Sequence, residues 1–258
     1  MTSRRDSPAE NVRPLDTTAL PVPLASFVGR DAEIATVRAA LLSDSVRLLT
    51  LIGPGGVGKT RLAVRAAEDM RGAFADGVVF VPLAAVRDPA LVASEIAQTL
   101  GVPEVSGRPL ADSLAWHLRD RSMLLLLDNF EQVLPAAPLI NALLAAAPAV
   151  RVLVTSRSVL RLYGEYDILI PPLSLPDSGA HWAFEDATRS EAVRLFVERA
   201  RAANSSFHLT AANTPVIAEV CRRLDGLPLA IELAAARITV LPLEAMLARM
   251  EQRLPLLT

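Results

Sequence analysis

The residues with the most chemistry to offer are the eight from Gly53 to Thr60, GPGGVGKT, which fit the spacing G-x-x-x-x-G-K-[ST]. They follow a strand-like run, RLLTLI at 47–52, and precede a helical one, RLAVRAAEDM at 61–70. In that setting Gly53, Gly55, Gly56 and Gly58 let the backbone turn its N–H groups, that of Val57 included, inward around phosphate oxygens. The helix opening at Arg61 adds the positive end of its dipole. Gly53 to Arg61 is therefore one candidate cofactor-binding stretch. Lys59 is the only lysine: 26 Lys+Arg less this one leaves 25 arginines. A compact ammonium on a flexible stem reaches the outer phosphates, whereas a planar guanidinium is too wide for the loop. The one lysine stands where arginine is not a conservative replacement.

Gly53, Gly55 and Gly58 also fit G-x-G-x-x-G, the dinucleotide pattern. That pattern requires an acid at the end of the second strand, about 20 residues on, to hold a ribose. Here the strand ends Val81-Pro82-Leu83, with no acid, so the phosphate-tail reading stands.

A magnesium ion accompanying a nucleotide takes a hydroxyl and a carboxylate from the protein. Thr60 supplies the first. MLLLLDNFE at 123–131 supplies the second: its leucines make a strand buried on both faces, and Asp128 emerges at the carboxyl end, where ligands of open parallel sheets bind. The next residue is Asn129, in the place where many hydrolytic proteins carry a second acid. An amide cannot accept a proton as a general base, which leaves Glu131 as the candidate base. RVLVTSR at 151–157 ends in Arg157, a permanent cation at the same sheet edge and a candidate reader of a terminal phosphate. Two readings follow: a binding switch with slow or no hydrolysis, or a turnover hydrolase that uses Glu131.

The supporting elements read as an α/β chain. Short apolar runs alternate with helical patterns from Phe27 onward, which predicts a parallel sheet with helices on both faces. Candidate strands are Val46 to Ile52, Gly77 to Pro82, Ser122 to Asp128, Val150 to Thr155 and Tyr166 to Ile170. One helix is framed by its end signals, Asp88 as N-cap with Pro89 after it and Gly101 past the end. Beyond about residue 188 only helical periods remain, at Ser190 to Ala203, Thr214 to Leu224, Pro228 to Ile238 and Pro242 to Arg253. The predicted division is a disordered leader at 1–24, a nucleotide-binding domain at 25–175 and a small all-α domain at 176–258, with a turn-rich linker across 171–188.

Composition narrows the classes. The chain has 258 residues, is 52% hydrophobic and carries a net charge of -2, so it offers no broad basic surface for DNA, and no direct DNA binding is expected from it. Cys221 is the only cysteine, which excludes an internal disulfide and a cysteine-based zinc site and fits a cytoplasmic setting. The most apolar segments are too short to span a membrane. No Asn-Lys-x-Asp element for guanine is possible in a chain whose only lysine is Lys59.

Taken in order, FVGR (27–30), GPGGVGKT, LLLLDNFE, VTSR and CRRLDGLPLAIELAAAR (221–237) resemble the NB-ARC branch of the STAND signalling ATPases, and among them the bacterial AfsR-like and LuxR-like transcriptional regulators. The resemblance implies a P-loop NTPase three-layer sheet of order 2-3-4-1-5, followed by an all-α domain. It implies ATP/ADP and Mg2+ as cofactors, Val28 and Arg30 against adenine, Arg157 as sensor of the terminal phosphate, and Pro228 packing on the base from the helical domain. It also implies a switch that self-associates or engages protein partners on binding ATP.

Overall fold

In the computed structural model, residues 20–22, 24–176 and 184–253 are described. Five strands, β1 (Leu48–Ile52), β2 (Val78–Pro82), β3 (Leu124–Asp128), β4 (Arg151–Ser156) and β5 (Glu165–Leu169), form one parallel sheet of order β2-β3-β4-β1-β5. The strand order is the one the resemblance implied. Each strand starts or ends within two residues of its expected bounds, the usual uncertainty of fraying ends.

The sheet is apolar on both faces because its side chains alternate between two cores. Leu49, Leu51, Leu124, Leu126 and Leu153 face α1 (Asp31–Leu42) and α2 (Lys59–Asp69). Leu48, Leu125, Leu127, Val152 and Val154 face α3 (Val92–Leu100), α4 (Leu110–Leu118) and α5 (Ala137–Ala146). Two helical layers sandwich the sheet, as expected. Asp88 caps the turn leading into α3 by accepting from the Ala90 N–H at 2.9 Å, and Gly101 closes the helix.

Register places the chemistry. Leu51 pairs with Thr155, Ile52 with Ser156, and Pro82 with Asp128. The glycine loop, Asp128 and Arg157 therefore leave the sheet at one edge, the carboxyl ends of β1, β3 and β4.

The second domain comprises α6 (Phe184–Arg189), α7 (Glu191–Ala203), α8 (Thr214–Arg223), α9 (Pro228–Ala235) and α10 (Leu243–Arg253) around Phe196, Ile217, Val220, Cys221 and Ile231. Phe207 meets Phe196 edge-on, with centroids 6.4 Å apart. Burial pushes the Cys221 thiol up to about 12, so it behaves as a small hydrophobe. Helix α6 lies inside the stretch read as linker, whose residues 177–183 are outside those described. Most of the predicted leader is outside them as well. Leu20, assigned to that leader, is buried against the α1–α2 face of the sheet, because an isolated leucine finds an apolar seat there. No helix among the described residues is long and apolar enough to cross a membrane.

Candidate nucleotide-binding site

The glycine loop turns between β1 and α2, with the Val57 N–H 3.4 Å from the Pro54 carbonyl. The Val57 side chain is fully buried in the sheet core and pins the loop from below. Gly56 (φ 79) and Gly58 (φ 94) hold left-handed backbone that side-chain-bearing residues avoid. A Cβ on Gly56 would lie 3.0 Å from Leu229 Cβ, so the loop is glycine here for conformation and for contact. At its far side the N–H groups opening α2 have no carbonyl one helical turn earlier to pair with. They are the anion-binding end of that helix.

Lys59 folds back over the loop, donating to the carbonyls of Gly53 (2.8 Å) and Pro54 (3.1 Å). Those bonds occupy two of the three ammonium donors. Burial draws the ammonium below the ordinary lysine value; Glu131 and Asp128 oppose that shift, and Arg157 adds to it.

Thr60 and Asp128, placed together from sequence as metal ligands, touch: the threonine hydroxyl donates to Asp128 Oδ1 at 2.6 Å. Thr155, which sequence reasoning missed, donates to the same oxygen at 2.6 Å and accepts the Asn129 N–H at 3.0 Å. Its hydroxyl is fully buried at the end of β4, and a buried hydroxyl needs a partner, but no spacing rule links it to Asp128. Hydroxyl and carboxylate oxygens are the hard donors magnesium takes. Among the described residues no group of three or more His, Cys, Asp or Glu gathers to hold a metal, so an ion here would need phosphate and water oxygens to complete its shell. Asn129 sits at φ 63, a left-handed position that asparagine tolerates.

Arg157 Nε lies 3.2 Å from Glu131 Oε1, and a Cβ on Gly55 would lie 3.4 Å from Arg157 Nη2. The guanidinium thus hangs over the loop while pairing with the candidate base. Glu131 Oε2 is buried with no hydrogen-bond partner. These residues, with Gly55, Gly56, Gly58 to Arg61, Asn129, Pro228, Leu229 and Glu232, surround an open cleft of about 300 Å³.

A second, narrower cleft of about 30 Å³ adjoins it, lined by Phe27, Val28, Arg30, Gly58, Arg61, Leu173, Leu195 and Pro228. Val28, Arg30 and Pro228 are thus brought together although they are far apart in sequence. Arg30 does more than line it. Its guanidinium Nη2 donates to the carbonyls of Val57 (2.9 Å) and Pro171 (2.8 Å), and its backbone N–H donates to Glu191 at 2.6 Å. Arg30 Nη1 is buried without a partner. Burial lowers the basicity of this guanidinium, opposed by Glu33 and Glu191. Arg61 also departs from a simple ligand role. Its guanidinium bonds Glu232 (2.8 Å) and the carbonyls of Ser26 (2.6 Å) and Ala25 (3.0 Å).

Pro228 opens α9, and its Cγ would be 3.8 Å from a Cβ on Gly58. The following N–H, that of Leu229, donates to the Gly56 carbonyl at 3.2 Å. The helical domain therefore touches the glycine loop directly. Proline at a helix start was legible; that its neighbour would bond the loop was not.

Comparison with known proteins agrees with this geometry. A family model described as an AAA domain matches residues 43–160. An uncharacterized protein of Mycobacterium tuberculosis is 41% identical over 89% of this chain and 55% of its own length. Another M. tuberculosis protein, named as an HTH-type transcriptional regulator, is 42% identical over 80% of this chain and 22% of its own. The regulatory protein AfsR of Streptomyces griseus is 32% identical over 96% of this chain and 25% of its own. The chain spans about half the length of the first of these relatives and about a quarter of the others. Among solved structures, the Walker-type ATPase of Pyrococcus abyssi superposes with a TM-score of 0.56 at 14% identity, covering 90% of this chain and 73% of that one. The Aeropyrum pernix ORC2 protein gives 0.55 at 16%, covering 88% and 68%. At these identities the structures speak for the fold. Together with the sheet order and the loop geometry, these relatives show a P-loop ATPase domain similar to that of the AfsR-like regulators.

Proposed function

We propose that this chain is an ATP/ADP-binding switch module of a signal-transducing, transcription-regulating protein, with Mg2+ as companion ion and slow or no intrinsic hydrolysis. The observation that carries the reading is the Leu229 N–H donating to the Gly56 carbonyl. The second domain is bonded to the loop that would hold the phosphates, so occupancy of the loop and docking of the domain share atoms. In this reading the loop amides and Lys59 bind the diphosphate, and Thr60 and Asp128 hold the ion, which shields phosphate charge. Arg157 meets a terminal phosphate, and the base lies in the narrow cleft between Val28, Arg30 and Pro228. Relatives named as transcriptional regulators support the wider setting.

Slow turnover follows from Asn129, which cannot take a proton, and from Glu131, one oxygen of which is engaged by Arg157. The test is to denature the purified protein, chromatograph what is released, and then measure phosphate release with ATP. ADP at near one per chain, with turnover well below about one per second, the low end of ordinary enzymes, supports the switch. Glu131-dependent turnover at or above that rate establishes the hydrolase reading instead.

A further inference from the structure

Three ionic side chains, Arg61 and Glu232 at the edge of the phosphate cleft and Arg199 outside it, bridge the two domains. Glu232 on α9 accepts from Arg61 Nη1 on α2 at 2.8 Å and from Arg199 Nε on α7 at 3.0 Å, both on the same oxygen. Both arginines then reach the chain segment that leads into the first domain: Arg61 Nη2 to the Ser26 carbonyl at 2.6 Å, Arg199 Nη2 to that same carbonyl at 2.7 Å. Arg199 Nη1 adds the Ser26 hydroxyl at 3.2 Å. One carboxylate oxygen and one carbonyl oxygen are each shared by two guanidinium groups drawn from different domains.

We propose that Glu232, held by Arg199, is a positioning residue that sets how long nucleotide stays bound, by latching α9 across the glycine loop. Glu232 lies one helical turn beyond Pro228 and Leu229, so fixing it fixes the end of α9 that bonds Gly56. The latch is partly protected from water: the side chains of Arg199, Glu232 and Arg61 are 13%, 27% and 33% exposed, where exposed surface pairs contribute little. A carboxylate beside a phosphate cleft would repel its ligand unless neutralised, and the two arginines supply that neutralisation. Arg199 does not line the cleft, so its effect on a ligand must pass through the docking of α9.

The inference rests on the nucleotide reading above, and its test separates the two. In the full chain, Glu232→Gln, Arg199→Gln and the double variant are compared with the wild type in two measurements. The first is hydrogen exchange at the Leu229 amide without added nucleotide, which reports docking alone. The second is release of a fluorescent ADP analogue chased by excess ADP. The latch predicts that each single variant exchanges and releases about ten-fold faster. The double variant should add little to the faster single one, since coupled groups are not additive. Arg199→Lys, which keeps a charged donor toward Glu232, should retain most of the slow exchange, which guards against a variant that merely folds poorly. If Arg199→Gln leaves Leu229 protection unchanged, the latch is wrong, whatever happens to nucleotide. If protection falls as predicted but the wild type binds no analogue, the docking contact stands, while the nucleotide reading and the control of release fall together.

Discussion

The phosphate end and the base end of the candidate site are built in opposite ways. The phosphate end is an open cleft of about 300 Å³ whose floor comes from one short stretch, Gly55, Gly56 and Gly58 to Arg61, with Asn129, Glu131 and Arg157 delivered from beyond the ends of β3 and β4. The base end is about 30 Å³, room for little more than a water, and it is assembled from five separate segments. Two of its walls, Leu195 and Pro228, belong to the helical domain. On the proposed reading a phosphate tail approaches a preformed surface, whereas a purine enters the narrow cleft only if the helical domain shifts. On that reading binding strength comes from the first end, while the helical domain couples to both, through Leu229 on the glycine loop and through Leu195 and Pro228 in the narrow cleft.

The harshest way to break the comparison is Gly56→Val, at the point where the loop meets α9. The β-branched side chain must adopt a left-handed backbone, at about 1–2 kcal/mol, and collide with Leu229. Loss of nucleotide binding with undocking of α9, read by hydrogen exchange at the Leu229 amide, is expected; full retention would show that the loop and α9 do not need each other. Next, Asp128→Asn removes the carboxylate while keeping the hydrogen-bonded shape. Nucleotide affinity in magnesium should fall about 10- to 100-fold, the worth of a charged contact, and with chelator the difference should nearly vanish. Calorimetry in the two buffers checks it.

Arg157→Ala should weaken ATP about ten-fold and leave ADP nearly unchanged, because in the proposed reading the guanidinium beside Gly55 meets the terminal phosphate. Equal losses for both nucleotides would place Arg157 on the diphosphate instead. The smallest effect is expected at the base end. Pro228→Ala removes one face of the narrow cleft and should cost only a few-fold in ADP affinity while speeding ADP release, measured by stopped-flow chase. A loss as large as that of Asp128→Asn would overturn the division of labour.

The sequence made the phosphate end legible because its chemistry is local. A loop, a lysine and a hydroxyl lie within eight residues, and Asp128 and Arg157 each follow a run of buried strand residues whose parallel packing sends their ends to one edge. Thr155 escaped because a buried threonine at the end of β4 looks like any β-branched strand residue until its hydroxyl is seen on Asp128. The base end was visible only through resemblance. Val28, Arg30 and Pro228 carry no spacing signal for one another, and the roles of Glu191, Arg199 and Glu232 depend on how two domains meet, which helical periodicity leaves open. Arg30, implied by the resemblance to lie against adenine, lines the narrow cleft, and its Nη2 ties the loop carbonyl of Val57 to that of Pro171, bonds that no motif announces. The Arg61 guanidinium likewise turns to Glu232 and the backbone at Ala25 and Ser26, contacts that its place after the loop does not announce.

The most direct test is calorimetric titration of ADP and ATP into the wild type and Lys59→Ala, with circular dichroism to confirm that both are folded. The account predicts about one site per chain in the wild type and a loss of at least about 100-fold in the variant, because a charged donor to a polyphosphate is removed. Equal affinity in the two proteins would contradict it.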